Sequence, residues 1–386
     1  MTKLDELIQK LCPNGVEHTC LKKCVTIMRG TRVVKSQLTE TDEYPVFQNC
    51  LTPMGYYEKF NCEEKTTFII AAGAAGEIGY STTKFWAADD CFYFICPQEI
   101  ESCFLYHNLL QQQSFILSKV RRASIPRLAR EVIENLSIPV PPLPVQREIV
   151  RILDSFTELT TELTTELTAR KKQYAYYRDK LLTHSSETKI CKLADVCESI
   201  ADGDHMPPPK ADDGIPFITI SNITEQNKID FSNTMFVPRT YYDALAEKRK
   251  PKRGDILYTV VGSYGIPVCI EEDREFVFQR HIAILRPKKQ LVKSRYLFHA
   301  MQSSVFKAQA DKAAKGAAQK TIGLAALAEM TLPVPSLAAQ QRLVEVLDNF
   351  DAICTDLSSG LPAEIEARQK QYEYYRDKLL TFTPAD

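Results

Sequence analysis

The chain states one pattern twice. QYAYYRDKLLT at residues 173–183 returns as QYEYYRDKLLT at 371–381, and SIPVPPLPVQREIVRILDSF at 137–156 is answered by TLPVPSLAAQQRLVEVLDNF at 331–350. A duplicated sequence folds into a duplicated frame, so this self-similarity constrains the architecture before any local propensity does. Each copy begins in a proline-rich segment and runs into a long periodic stretch.

In the first stretch Ile149, Leu153, Phe156, Leu163, Leu167, Tyr174, Tyr177 and Leu181 alternate at spacings of four and three, with Thr160 and Arg170 at the polar seam positions. That is the seam of a coiled coil. Leu343, Leu347, Phe350, Cys354 and Leu357 begin a second seam, which resumes at Ile365, Arg368, Tyr372, Tyr375 and Leu379. The offset between the copies lengthens across this interruption, as a four-residue stutter would make it. Gly360 and Pro362 sit there, and a kink or short break is expected. A helix from about Pro144 to Thr183 would be roughly 60 Å long, too long to be the core of one globule. Its middle, TELTTELTTELT at 157–168, reads as tandem units that each add roughly 6 Å, a candidate ruler.

The remaining segments, Val16 to Asn135 and Ile190 to Glu329, read as two diverged α/β domains. CLKKCVTIMRG resembles KLADVCESIADG, each a short helix leading to a glycine turn; YPVF at Tyr44 matches IPFI at Ile215. TTFIIAAGAAG at Thr66 aligns with ILYTVVGSYG at Ile256, apolar strands ending in GxxG, where glycine permits positive φ. Helical stretches follow, around Phe104 to Gln113 and Tyr296 to Lys307.

With 386 residues, 44% apolar and 25% charged, the chain is long enough for more than one core. It has no apolar run of membrane length and no signal-peptide core, so a cytoplasmic protein without membrane contact is expected. The 12 cysteines are scattered without CxxC and read as reduced thiols. Cys20 and Cys24 lack a second ligand pair, the histidines are few and dispersed, and His107 and His299, at equivalent helical positions, read as packing residues. No metal site is expected.

A net charge of −1 argues against a free-standing nonspecific nucleic-acid binder. Charge is nevertheless uneven. From Ser102 to Arg130 there is no acidic residue, while Lys119, Arg121, Arg122, Arg127 and Arg130 accumulate. The second half offers Lys248 to Arg253, then Arg280 with His281, then Lys307, Lys312, Lys315 and Lys320. No catalytic constellation is found: GAAGEIG at Gly73 lacks the Gly-Lys-Ser/Thr of a Walker loop. The sequence reads as a recognition chain without chemistry of its own.

The paired LPVQREIVRILD-type segments, the repeated KQYxYYRDKLLT ends, the GxxG strand ends, QRHIAILRP at Gln279 and the tetrapeptide run together resemble the specificity (S) subunits of Type I restriction-modification systems. The resemblance covers nearly the full length. It implies two α/β (α+β) target-recognition domains, joined by two long antiparallel coiled-coil helices in an internal pseudo-two-fold repeat. The corresponding partition is a first recognition domain at 1–143, a central spacer helix at 144–183, a second recognition domain at 184–337 and a C-terminal helix pairing with the central one at 338–386. Each domain would read half of an asymmetric bipartite duplex. Two modification (M) subunits, carrying S-adenosylmethionine for adenine N6 methylation, and restriction (R) subunits, carrying ATP and Mg, are the implied partners. No cofactor is expected in this chain. A Type IIB-like recognition chain and a coiled-coil adaptor that binds proteins are the alternatives.

Arginine or lysine reads guanine and asparagine or glutamine reads adenine in the major groove. Candidate contacts are Gln48, Asn49, Lys119, Arg121, Arg122 and Ser124 in the first domain. In the second they are Asp204, His205, Ser221, Asn222, Tyr264, Gln279, Arg280, Lys315 and Gln319. Tyr174, Tyr177, Tyr372 and Tyr375 can simply fill the seam, the reading that stability alone favours, but near-identity of the outward residues too, including Arg178 and Asp179 beside Arg376 and Asp377, marks Tyr174, Tyr177, Arg178, Tyr372, Tyr375 and Arg376 as candidate partner contacts.

Overall fold

The computed structural model describes residues 2–183, 188–203, 208–224, 226–317, 319–356 and 359–385. Contacts group the chain into two units: Met1–Leu163 with Ile365–Asp386, and Thr164–Glu364. Each unit thus combines one α/β domain, the proximal part of the helical segment that follows it, and the distal part of the other helical segment.

The first unit holds an antiparallel sheet in the order Thr26–Arg29, Cys91–Ile95, Thr66–Ile70, Ile78–Ser81. The second repeats that order with Cys197–Asp202, Ile282–Pro287, Ile256–Thr259, Pro267–Cys269. β-branched and aromatic residues suit such half-buried strands, and Ile256–Thr259 is buried throughout. A smaller sheet accompanies each. Tyr44–Phe47 pairs antiparallel with Tyr56–Tyr57 and parallel with Trp86–Ala87; Ile215–Ile218 pairs antiparallel with Met235–Val237 and parallel with Val277–Phe278. The glycine turns after the short helices are places of close approach. A Cβ on Gly30 would lie 2.1 Å from the Ala88 carbonyl oxygen, and one on Gly203 2.1 Å from that of Phe278. Only glycine fits there.

Helices Ser102–Gln111 and Ser294–Met301 cover the respective sheets and carry His107 and His299. The segment after each domain starts with a buried glutamine. Gln146 accepts from the Glu101 N–H (2.9 Å) and donates to the carbonyls of Glu99 (2.8 Å) and Pro141 (2.7 Å). Gln340 accepts from the Lys293 N–H (2.9 Å) and donates to Leu291 (2.9 Å) and Pro335 (2.8 Å). The same clamp is built twice, locking helix start to histidine helix.

The long helix runs Leu143–Leu182 without a break, 40 residues. Threonines of the TELT run satisfy their hydroxyls on the carbonyl one turn back, as Thr161 does on Thr157 (2.8 Å) and Thr168 on Thr164 (3.0 Å). The second copy is broken into Leu337–Thr355 and Leu361–Leu379. Pro362 falls in the first turn of the later helix, where its missing N–H costs nothing. The expected seam residue Leu357 lies outside the described residues.

The seam is buried in part: Tyr177 and Leu181 are 37% and 36% exposed, and the buried residues at the helix ends are Leu182 and Leu380, one position beyond the expected Leu181 and Leu379. Val145, Ile149 and Leu153 pack with Leu380 and Tyr372 in the first, and Tyr174 and Leu182 pack with Val344, Leu347 and Cys354 in the second. Phe156 stacks on Tyr375 at 5.3 Å, and Phe350 stacks on Tyr177 at 5.7 Å. Among the described residues no helix is long and apolar enough to cross a membrane.

Candidate nucleic-acid interface

Both strand ends turn through glycines in the left-handed region, Gly73 (φ 88°) and Gly76 (φ 92°) in the first unit and Gly262 (φ 72°) and Gly265 (φ 93°) in the second. A side chain at these positions would strain the backbone. Against each turn lies a short hairpin. Arg121 and Arg127 exchange backbone hydrogen bonds of 2.9 and 3.1 Å, as Lys315 and Thr321 do at 2.9 and 2.8 Å. The hairpins are tied to the turns by Gly73 N–H donating to the Pro126 carbonyl (3.1 Å) and Gly262 N–H to that of Lys320 (3.0 Å). A rigid strand end therefore presents a small loop of free side chains, the kind of scaffolded loop on which binding residues concentrate.

In the first unit this geometry gathers the exposed Arg121, Arg122, Ser124 and Arg127, with Lys119 just before the loop. Asn49 joins them from the end of Tyr44–Phe47. Its carbonyl accepts from the Ala74 N–H (2.8 Å), while its side chain remains exposed. Gln48 is half-buried beside it, its carbonyl accepting from the Cys91 thiol at 3.1 Å. In the second unit Lys315, Gln319 and Lys320 are exposed on the hairpin. Arg280 and Gln319 share a cleft with Asp202, His281 and Thr321. Burial, then the charge of Arg280, holds the His281 imidazole below its usual pKa, favouring its neutral form. Gln279 is half-buried and places its N–H on the Ile218 carbonyl at 2.8 Å.

Several sequence candidates are placed differently. Asn222 is buried, 7% exposed, and its amide is used internally: Oδ1 accepts from the Thr219 N–H (2.9 Å), and Nδ2 donates to the Asn233 carbonyl (3.0 Å). That corrects its assignment as a base contact, since a satisfied buried amide holds the turn. Ser221 is exposed on the same turn but bonds Thr219 at 2.7 Å and does not line the cleft. Tyr264 donates its hydroxyl to Asp311 (3.0 Å), which raises its pKa and occupies the group. Asp204 and His205 lie outside the described residues. Arg127 and Lys320, which the basic runs contain but the candidate contacts do not, belong to the hairpins.

The repeated helix ends also turn inward. Tyr174 is 6% exposed and its hydroxyl bonds His299 Nδ1 at 2.9 Å; Tyr372 bonds His107 Nδ1 at 2.9 Å. Arg178 lies over the Tyr174 ring at 5.3 Å and Arg376 over Tyr372 at 5.7 Å. Tyr177 and Tyr375 face the phenylalanine stacks. The six candidate partner contacts thus make contacts within their own units, and Tyr177 among them is also 37% exposed. The histidines are hydrogen-bonded anchors rather than packing residues alone. Left outside are Tyr176 and Tyr374, each 61% exposed, edge-on to the next tyrosine at 5.3 Å. They fall off the seam spacing, the one signal in the sequence that would have picked them out.

The family described as Type I restriction modification DNA specificity domain matches residues 13–171 and 185–367. A putative type I restriction enzyme specificity subunit of Haemophilus influenzae is 30% identical over 402 aligned residues, covering 99% of this chain and 99% of the relative. The Escherichia coli EcoR124I/EcoR124II specificity subunit is 34% identical over 284 residues, 66% of each chain. Among solved structures, the S subunit of a Type-I restriction-modification system from M. genitalium superposes with a TM-score of 0.59 at 17% identity, covering 95% of this chain and 96% of that one, which shows a shared fold. With both halves matched and a full-length relative at this identity, the chain belongs to the type I restriction-modification DNA specificity family.

Proposed function

We propose that each unit reads one half of a bipartite duplex target through its glycine-turn hairpin, and that the helical segments fix the separation of the two half-sites. The observation that carries this reading is a hairpin held in the same way twice but furnished with unlike side chains, RRASIPR at 121–127 and KGAAQKT at 315–321. A shared frame with divergent loops suits an asymmetric target with an unread spacer. Arg121, Arg122 and Arg127 supply guanine or phosphate contacts, and Asn49 and Gln319 supply adenine contacts.

The chain acts without catalysis of its own. Modification subunits dock on the twin helix ends, with Tyr176 and Tyr374 as their exposed contacts, and bring S-adenosylmethionine; restriction subunits bring ATP and Mg. One surface presented twice recruits two copies of one partner, and one chain serves where a symmetric reader would use a dimer. The near-neutral charge of the chain fits a reader whose grip on DNA is completed by those partners.

Mapping methylated adenines in host DNA with the gene intact, deleted, or carrying RRASIPR exchanged for another hairpin tests the reading. The expected result is a bipartite motif that vanishes on deletion and changes in one half alone on exchange. A continuous motif, or exchange without effect on the motif, overturns it.

A further inference from the structure

The two histidine anchors are not alike on their other side, and the difference points to a cation. In the second unit His299 Nε2 lies 2.7 Å from Asp348 Oδ1, and Arg295, one helical turn before the histidine, bonds the same oxygen at 2.6 Å. The carboxylate is thereby neutralised by a built-in charge. In the first unit the positions of Arg295, His299 and Asp348 are taken by Cys103, His107 and Asp154. There the contacts are longer: His107 Nε2 to Asp154 Oδ1 is 3.5 Å, and the Cys103 thiol makes sulfur hydrogen bonds of 3.7 Å with His107 Nε2 and with Asp154 Oδ1.

We propose that Cys103, His107 and Asp154 bind a divalent zinc-class ion, which takes in the first unit the place that the Arg295 guanidinium holds in the second. Metal–ligand bonds of about 2.0–2.3 Å at tetrahedral angles set sulfur, nitrogen and oxygen ligands about 3.3–3.6 Å apart, close to all three separations. The His107–Asp154 separation of 3.5 Å is longer than the about 2.8 Å of a direct charge-assisted hydrogen bond. Among the described residues this is the one cluster of metal-ligand type whose donor atoms all lie within 4.8 Å of one another.

The surroundings fit a metal. Cys103 and His107 sit one turn apart on Ser102–Gln111, 6% and 1% exposed, and Asp154 reaches in from the long helix with its side chain 47% exposed. Two buried soft or borderline ligands and one partly exposed carboxylate make three protein ligands, and a bound ion would take water as its fourth. Tyr372 supplies the outer shell. Its hydroxyl lies 2.9 Å from His107 Nδ1, and in the metal-bound form Nδ1–H would donate to that oxygen and leave the Nε2 lone pair for the ion. Binding displaces the thiol proton to solvent, leaving a thiolate, a carboxylate and a neutral imidazole around the ion. The ion would cross-link the histidine helix to the long helix. This assignment is independent of what the hairpins read.

The test uses the full chain, stripped with a chelator, loaded with Zn(II) or Co(II), and desalted. Because 12 cysteines could hold metal loosely, the quantity read is the difference between wild type and Cys103→Arg, which copies the solution of the second unit and is expected to fold. Wild type should retain one more equivalent of zinc by elemental analysis. Its Co(II) form should show a thiolate charge-transfer band that the variant lacks, and zinc should raise the thermal midpoint of wild type alone. Asp154→Asn, at a partly exposed position, should lower zinc retention with the fold intact. Tyr372→Phe should weaken zinc about tenfold as an outer-shell change. Equal zinc content in wild type and Cys103→Arg, or a Co(II) spectrum without the thiolate band, overturns the proposal.

Discussion

The two units spend their similarity and their difference in different places. Much of what is identical is buried polar contact: the Gln146 and Gln340 clamps match bond for bond, and the Tyr372–His107 and Tyr174–His299 bonds are both 2.9 Å; the exposed Tyr176 and Tyr374 are repeated as well. What differs is exposed or ionic: hairpin side chains, Cys103 against Arg295, Glu148 against Arg342. A recognition frame can diverge freely where side chains meet solvent or a ligand, and hardly at all where a buried polar group must find its partners.

That contrast is broken most severely at the clamps. Gln146→Ala leaves the Glu101 N–H and two carbonyls without partners, and Gln340→Ala does the same around Lys293. At about 1–3 kcal/mol per unsatisfied buried group, each should cost about 3 kcal/mol or more in urea unfolding. Similar losses uphold the equivalence of the frames; a loss confined to one unit denies it.

Next in size is the proposed reading surface. Replacing Lys119, Arg121 and Arg122 together with alanine should weaken duplex binding by about tenfold or more and flatten the salt slope by about 2–3. Lys315→Ala with Lys320→Ala should flatten it less, the second hairpin carrying fewer cations. Unchanged affinity in both variants would favour an adaptor that binds proteins. Smaller still are Tyr372→Phe and Tyr174→Phe, each removing one buried hydrogen bond, for about 1 kcal/mol in metal-free buffer.

The smallest effect belongs to one unit alone. Hydrogen bonds from Arg151 and then Lys3 hold the Glu148 carboxyl down at about 2. A lowered folded pKa gives stability that is present above the unfolded value of about 4.3 and is lost as pH falls towards 2. Both cations are largely exposed, so screening trims the gain to about 1 kcal/mol. Glu148→Gln should therefore lower stability at pH 7 and leave it unchanged near pH 2. Arg342→Gln, at the matching place in the second unit, should show no such acid dependence.

Much of this was legible in the sequence for physical reasons. The seam spacing gave the long helix to within a residue at each end, and Gly360 with Pro362 located the break, because periodicity and proline act locally. The GxxG pairs announced their turns for the same reason. Gln146 and Gln340 were not legible, since a glutamine in a helix reads as surface until its three partners are known. Nor were the histidine partners of the seam residues Tyr174 and Tyr372, which lie 125 and 265 residues away in sequence. Asn222 misled because a turn asparagine looks the same whether it faces DNA or caps its own backbone.

The central claim, two unlike readers whose separation is set by the helical segments, is met most directly by deleting one TELT unit of residues 157–168 and mapping adenine methylation in cells that supply the partner subunits. A unit of roughly 6 Å should shorten the tolerated spacer by roughly one to two base pairs and leave both half-sites as they were. An unchanged spacer, or a change in the bases of either half-site, contradicts the account.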